Sequence, residues 1–193
     1  VNPLDRIRIV MPYPRRETEL RPEPMPLDIP YEDDDLLIVN KPAGLVVHPG
    51  VGNYTGTLVN GLMHHLNAQG IPAGEQNRAG LVHRIDKNTS GLLVIAKNEQ
   101  AHARLAKQFF DHTIQRRYVA LVWGNFEQDE GTITGNIGRS PRERQKMYVF
   151  ADGSDGKHAV THWKVLRRYG YVTLVECRLE TGRTHQIRVH MAW

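Results

Sequence analysis

Apolar residues recur along this chain in short alternating runs broken by glycine- and aspartate-rich turns, a pattern that predicts strands more often than helices. Leu36 to Val39 reads as a short apolar strand that follows the acidic turn Glu32 to Asp35. Lys41-Pro42-Ala43-Gly44 then turns the chain into the run Leu45 to Gly50. Gly91 to Lys97, Arg117 to Trp123, Met147 to Phe150, Val160 to Leu166 and Tyr171 to Leu179 complete the expected strands. Arg167-Arg168-Tyr169-Gly170 is the hairpin turn between the last two. Two segments carry a helical period instead: Leu58, Val59, Leu62, Met63 and Leu66, capped by Thr55 or Thr57, and Ala101, Leu105, Ala106, Phe109 and Phe110, capped by Asn98. Strands that neighbour one another in sequence, with only two helices, predict an α+β fold with a mixed or mainly antiparallel sheet.

Residues 1–26 read as the tail of something else. A short strand is expected over Asp5 to Val10, followed by Pro12, Pro14, Pro22, Pro24 and Pro26. Proline at that density stays extended and cannot pair as a central strand, so this stretch predicts a linker, and the domain proper begins at Leu27. The chain has 193 residues, 40% hydrophobic and 24% charged, which fits a globular domain with a fragment of a second. No run approaches the roughly 20 apolar residues of a membrane span, and no signal sequence opens the chain. Cys177 is the only cysteine and sits in an alternating strand, where it is expected to be a small core residue rather than a reactive thiol. A cytoplasmic location without membrane association is expected. Net charge is only +4, but the cations cluster: Arg139, Arg142, Arg144 and Lys146; Lys164, Arg167 and Arg168; Arg104, Lys107, Arg116 and Arg117. Clustered cations on loops and hairpins point to a polyanion partner, most often nucleic acid.

The densest chemistry lies in His83-Arg84-Ile85-Asp86-Lys87-Asn88-Thr89-Ser90-Gly91, directly before the apolar strand. Asp86 stands between two cations, Arg84 and Lys87, which favour the carboxylate anion. An ionised Asp on a rigid strand end is what a nucleophile or general base requires. The alternative is a turn whose Asp and Asn satisfy local backbone groups. A second motif, Leu179-Glu180-Thr181-Gly182-Arg183-Thr184-His185-Gln186-Ile187-Arg188-Val189-His190, flanks a His-Gln pair with two arginines. His185 and His190 do not have the i,i+4 spacing of a helical zinc pair, and one cysteine offers no zinc set, so no metal is expected. His64 and His65 read as surface or packing residues, and the aspartates of the Glu32 to Asp35 turn as solvated. The third feature is Tyr118 behind Arg116 and Arg117 at the start of a strand; alone, it is a packing residue. A protein kinase also carries His-Arg-X-Asp, but the chain lacks the glycine-rich phosphate loop and Asp-Phe-Gly that kinase chemistry needs.

Taken together, these blocks in this order resemble the RluA/RluD family of RNA pseudouridine synthases. Lys41-Pro42-Ala43-Gly44 and Val47-His48-Pro49 belong to the match, which covers nearly all of residues 27–192. The entry through Pro26-Leu27-Asp28-Ile29-Pro30-Tyr31-Glu32-Asp33 is similar to the RluD branch, which modifies large-subunit ribosomal RNA. The resemblance implies an α+β sheet flanked by helices and loops around a central cleft. It assigns residues 1–26 to the end of an N-terminal RNA-binding domain plus linker, and 27–193 to a catalytic domain incomplete at its C-terminal end. It implies isomerisation of uridine to pseudouridine without cofactor or metal, on RNA, by a protein expected to be a monomer. Asp86 would be the nucleophile, attacking C1′ of the ribose or C6 of the base. Arg188 would pair with it, and Tyr118 would stack on the target base. Arg84 would enter the RNA stack that the uridine leaves, and Lys87, Arg183, His185 and Gln186 would contact RNA. The alternatives are a transfer RNA substrate, or a non-catalytic RNA-binding factor in ribosome assembly.

Overall fold

A computed structural model describes residues 20–71 and 79–193, so the strand expected over Asp5 to Val10 lies outside the described residues. The chain forms two compact units that divide between Asn98 and Glu99. In the first, β1 (Tyr31–Glu32), β2 (Leu36–Lys41) and β3 (Gly91–Ala96) make an antiparallel sheet in that order, with one helix, α1 (Leu58–Ala68). β2 and β3 pair from Leu36 opposite Ala96 to Lys41 opposite Gly91. Leu37, Val39, Leu93 and Ile95 are buried, as are Leu58, Val59, Leu62 and Leu66 of α1. The acidic turn is a side-chain-closed one: Asp33 Oδ1 accepts the N–H groups of Asp35 and Leu36, both at 2.8 Å. Beside it Glu32 accepts from Lys97 Nζ at 2.9 Å, Gln69 Nε2 at 2.9 Å and His65 Nε2 at 3.0 Å. Burial alone would raise the Glu32 pKa, but these donors outweigh it and hold the carboxyl at about 2.

Thr57 begins α1, with its N–H and hydroxyl both donating to Asn60 Oδ1. The Asn60 amide then donates to the Arg21 carbonyl at 2.8 Å, and the Asn60 carbonyl accepts from Glu23 N–H at 3.0 Å. Gly61 leaves room for Met25, whose Cγ would lie 2.4 Å from a Cβ at that position. From Arg21 onward the proline-rich stretch is therefore laid along α1, and not a spacer up to residue 26. The Arg21 carbonyl and the Glu23 N–H find partners on the helix, which proline density alone does not reveal.

The second unit contains α2 (Glu99–Phe110), β4 (Arg116–Trp123), β5 (Glu130–Arg139), β6 (Met147–Phe150), β7 (Lys157–Arg168), β8 (Val172–Leu179) and α3 (Gln186–Met191). Its five strands follow the order β4-β8-β7-β5-β6, and each pairing is antiparallel. The fold class is α+β. Ile137, Val149 and Ala159 form a buried cluster with Met147 and Val189 packed against it. Cys177 is fully buried in β8, and burial, aided by Glu176, pushes its thiol up to about 11.

Several elements differ from the sequence expectation, the two-residue β1 among them. β5 was not expected because Gly131, Gly135 and Gly138 interrupt its Thr and Ile residues. Gly131 is there for a close approach: a Cβ would stand 2.6 Å from the Trp163 ring, which itself packs on Phe126 at 4.4 Å between centroids. α3 was likewise not expected, being only six residues long. In α2 only Ala101 is buried, and Phe110, expected on the apolar stripe, is 83% exposed.

Candidate active site

The Asp86 loop leaves the core at buried Ile85 and returns to it at β3. His83 Nε2 accepts the Val94 N–H at 3.0 Å, and the Asp86 carbonyl accepts the Thr89 N–H at 3.1 Å, closing a tight turn. Asp86 is half-buried while Arg84 and Lys87 are exposed, so one loop holds an anchored carboxylate between two outward cations. On its other side the loop is fastened by Lys41, the last residue of β2. The Lys41 side chain is fully buried, and its Nζ donates to the carbonyls of Pro42 at 2.8 Å, Leu45 at 2.9 Å and Lys87 at 3.0 Å. The Gly44 N–H also donates to the Lys87 carbonyl, at 2.8 Å. Burial lowers the Lys41 pKa, and the charge of Asp86 opposes that shift. One ammonium thus welds the Lys-Pro-Ala-Gly turn to the Asp86 loop. Sequence reading passed over Lys41 because a fully buried lysine is rare; the available signal was a lysine closing an apolar strand just before a proline.

In the second unit Tyr118 pairs with buried Cys177 across β4 and β8, and is half-buried. Arg116 Nη2, two residues earlier, donates to the Glu180 carbonyl at 3.2 Å. Burial lowers the Arg116 pKa; Tyr118 opposes this and the charge of Arg183 adds to it. Gly182 makes the space, since a Cβ there would lie 2.5 Å from Arg116 Nη1. The tyrosine motif and the Thr181-Gly182-Arg183 turn are therefore brought together through Arg116.

That turn leads into α3 through His185, in the left-handed conformation with φ 56°. Gln186 was expected on RNA; it is 3% exposed and its amide is spent inside the protein. Its Oε1 accepts from Thr181 Oγ1 at 2.8 Å and Arg183 N–H at 2.9 Å. Its Nε2 donates to the Val160 carbonyl at 2.9 Å and Thr161 Oγ1 at 3.0 Å. With two acceptor and two donor bonds made, no amide group remains for a ligand. Arg183 is half-buried with its Nε on the His158 carbonyl at 2.9 Å, His185 is half-buried, and Arg188 is exposed on α3.

The network continues to His190, which is 2% exposed and has its Nδ1 2.9 Å from Thr161 Oγ1. Thr161 Oγ1 also accepts from Gln186 Nε2, so the buried imidazole extends the same network. Burial lowers the His190 pKa. A neutral imidazole favoured by folding contributes stability above the ordinary histidine value of about 6.5, and that stability is lost as pH falls below it. Thermal unfolding between pH 7.5 and 5 is expected to show a falling Tm that flattens in His190→Gln. Parallel curves for parent and variant would exclude His190 as the source.

The five-stranded sheet also carries a concavity of about 450 Å³ lined by Arg117, Lys164, Arg178, Glu130 and Glu176 among others. Lys164 lies in register with both Glu176 and Glu130 there, the arrangement of a solvated charged face. The motif carboxylate Asp86 is not among its residues. Among the described residues no group of three or more His, Cys, Asp or Glu side chains could hold a metal ion.

Residues 35–193, which include both the Asp86 loop and the Gly182-Arg183-Thr184-His185-Gln186 turn, match the family described as RNA pseudouridylate synthase. The chain belongs to that family, whose members are isomerases. It is 52% identical over 193 residues to a Bacillus subtilis protein titled uncharacterized RNA pseudouridine synthase YlyB, covering 100% of this chain and 62% of that one. It is 50% identical over 192 residues to ribosomal large subunit pseudouridine synthase D of Zymomonas mobilis, covering 100% of this chain and 60% of the relative. The chain thus spans about three-fifths of the length of these relatives. Among solved structures, human RNA pseudouridylate synthase domain containing 1 matches with TM-score 0.66 at 29% identity, covering 86% of this chain and 64% of the other. Human RNA pseudouridylate synthase domain containing 4 shares the fold, with TM-score 0.65 over 85% of this chain and 63% of the other, at 24% identity.

Proposed function

We propose that the whole protein isomerises specific uridines to pseudouridine in large-subunit ribosomal RNA, with Asp86 as nucleophile. The observation that carries this reading is the Asp86 loop itself: a half-buried carboxylate flanked by exposed Arg84 and Lys87, on a loop that Lys41 fastens through the Lys87 carbonyl. The ribosomal RNA assignment is supported by the names of relatives such as those of Zymomonas mobilis and Neisseria meningitidis. In the reaction the C1′–N1 bond breaks, the uracil turns, and C1′ bonds to C5. The C5 proton is lost and N1 gains one, so the product has the substrate's mass. Reaching C1′ and C5 requires the nucleotide to leave its stack, at a cost of a few kcal/mol. Tyr118 offers an aromatic face for the flipped base, and the Arg84 guanidinium fills the vacated place, each offsetting part of that cost. Arg188 orients the Asp86 carboxylate by a charge-assisted pairing, while Lys87, Arg183 and His185 contact the RNA. The chemistry needs no cofactor or metal, and we assign the protein to the cytoplasm as a monomer.

The test is incubation of the full-length protein with unmodified precursor-type ribosomal RNA, followed by mapping of carbodiimide-dependent stops. New stops at discrete uridines in large-subunit RNA support the assignment. Stops only in transfer RNA move the substrate to that class. RNA binding with no isomerised uridine anywhere leaves the non-catalytic assembly factor, and release of free uracil marks hydrolysis instead.

A further inference from the structure

We propose that the outer end of the five-stranded sheet, around Trp123, Tyr169 and Tyr171, is a stacking platform for unpaired RNA bases outside the target uridine. Trp123 ends β4 and is 84% exposed; Tyr171 and Tyr169 flank the β7–β8 turn and are 72% and 48% exposed. Isolated exposed apolar residues are ordinary, but three large rings gathered on one rim are not. The Trp123 and Tyr171 rings lie 6.1 Å apart between centroids and 23° from parallel, so they present one broad aromatic surface. Arg167 stands over Tyr169, with Cζ 5.1 Å from the ring centroid.

The backbone beneath these rings is pinned. Gly170, with φ 93°, is the middle residue of the β7–β8 loop, which the Tyr169 N–H closes onto the Val172 carbonyl at 2.8 Å. Gly124 N–H donates to the Tyr171 carbonyl at 2.8 Å, Thr173 Oγ1 donates to the Gly124 carbonyl at 2.7 Å, and the Asn125 amide donates to Gly170 O. Arg168 is held by Asp129 at 2.8 Å and by the Gln128 carbonyl at 2.9 Å. Rigid rings on a fixed backbone lose little entropy when a flat partner covers them.

Charge selects the partner. Arg167 and Arg168 end β7 beside the rings, Asp129 is taken up by Arg168, and the chain carries +4 overall. Exposed π-faces beside guanidinium groups fit a polyanion that displays its own rings, which is single-stranded RNA; a duplex hides those faces in its stack. Trp123 lies five residues from Tyr118 along β4, roughly 17 Å at the rise of a strand. The platform therefore serves flanking nucleotides, and it rests on the reading that RNA is the substrate.

The experiment uses the full-length protein and fluorescence anisotropy with two probes that contain no uridine, an oligoadenylate and a guanosine–cytidine RNA duplex of equal length. Trp123→Ala and Tyr171→Ala are each expected to weaken oligoadenylate binding about tenfold and to leave the duplex within about twofold. Quenching of tryptophan emission by oligoadenylate is expected in the parent and lost in Trp123→Phe, a change too small to unfold the sheet. Unchanged oligoadenylate affinity in these variants overturns the proposal, as does no binding by the parent or an equal loss on both probes. Sedimentation showing a parent dimer that Trp123→Ala dissociates also overturns it, because the rim would then bind a second copy. Neither probe can be isomerised, so a failure of the catalytic reading and a failure of the platform are seen separately.

Discussion

Replacing Asp86 by asparagine is expected to lower isomerisation at least a thousandfold while leaving RNA affinity within about threefold, because the amide cannot act as the nucleophile. The substitution is nearly isosteric, and the loop has anchors besides the carboxylate. Ile85 is buried, His83 receives the Val94 N–H, and Lys41 binds the loop through the Lys87 carbonyl. Thermal unfolding of Asp86→Asn should therefore track the parent, so that lost turnover reports chemistry and not collapse. Single-turnover assays on unmodified ribosomal RNA supply the measurement. Wild-type turnover in the variant would remove Asp86 from the mechanism and leave the motif as a turn.

The second large effect is expected at Lys41. Lys41→Met keeps the length of the side chain but removes the donor from three carbonyls, those of Pro42, Leu45 and Lys87. Hydrogen bonds to a charged group contribute about 1.5–3 kcal/mol each, and part of that is offset by the cost of burying the ammonium. A net loss of about 3 kcal/mol is expected in urea unfolding. At a temperature where the variant stays folded, isomerisation is expected to fall at least tenfold, since the Asp86 loop has lost its tie to β2. A Lys41→Met protein that unfolds within 1 kcal/mol of the parent and turns over normally would show that the weld is incidental (1 kcal/mol being roughly the median effect of a point substitution).

The parts of this fold that were legible are those where pattern and burial agree. β2, β3, β4, β6 and α1 follow their apolar periodicity, and Thr57 caps α1 as a threonine before an apolar stripe should. β5 was hidden because its glycines suit neighbouring side chains, above all Trp163 against Gly131, and that fit exists only once β7 lies beside it. The docking of the proline-rich stretch was hidden for the same reason, since Asn60 and Gly61 reveal their purpose only when Arg21 and Met25 are present. Within the candidate site the sequence did not reveal which motif residues face inward. Gln186 looks like a ligand-facing polar residue in the sequence; in the fold Gln186 and His190 extend a hydrogen-bond chain from Val160 through Thr181 and Thr161. A polar residue's role depends on which carbonyls and hydroxyls surround it, and those come from β7, some 25 residues earlier in the chain.

The sulfhydryl at position 177 has a practical consequence. Shielded inside β8 and holding its proton up to about pH 11, it will stay silent towards maleimides near neutrality. Within these 193 residues a cysteine engineered at outward Asn88 would then be the one reactive thiol, and a dye there would report motions of the Asp86 loop.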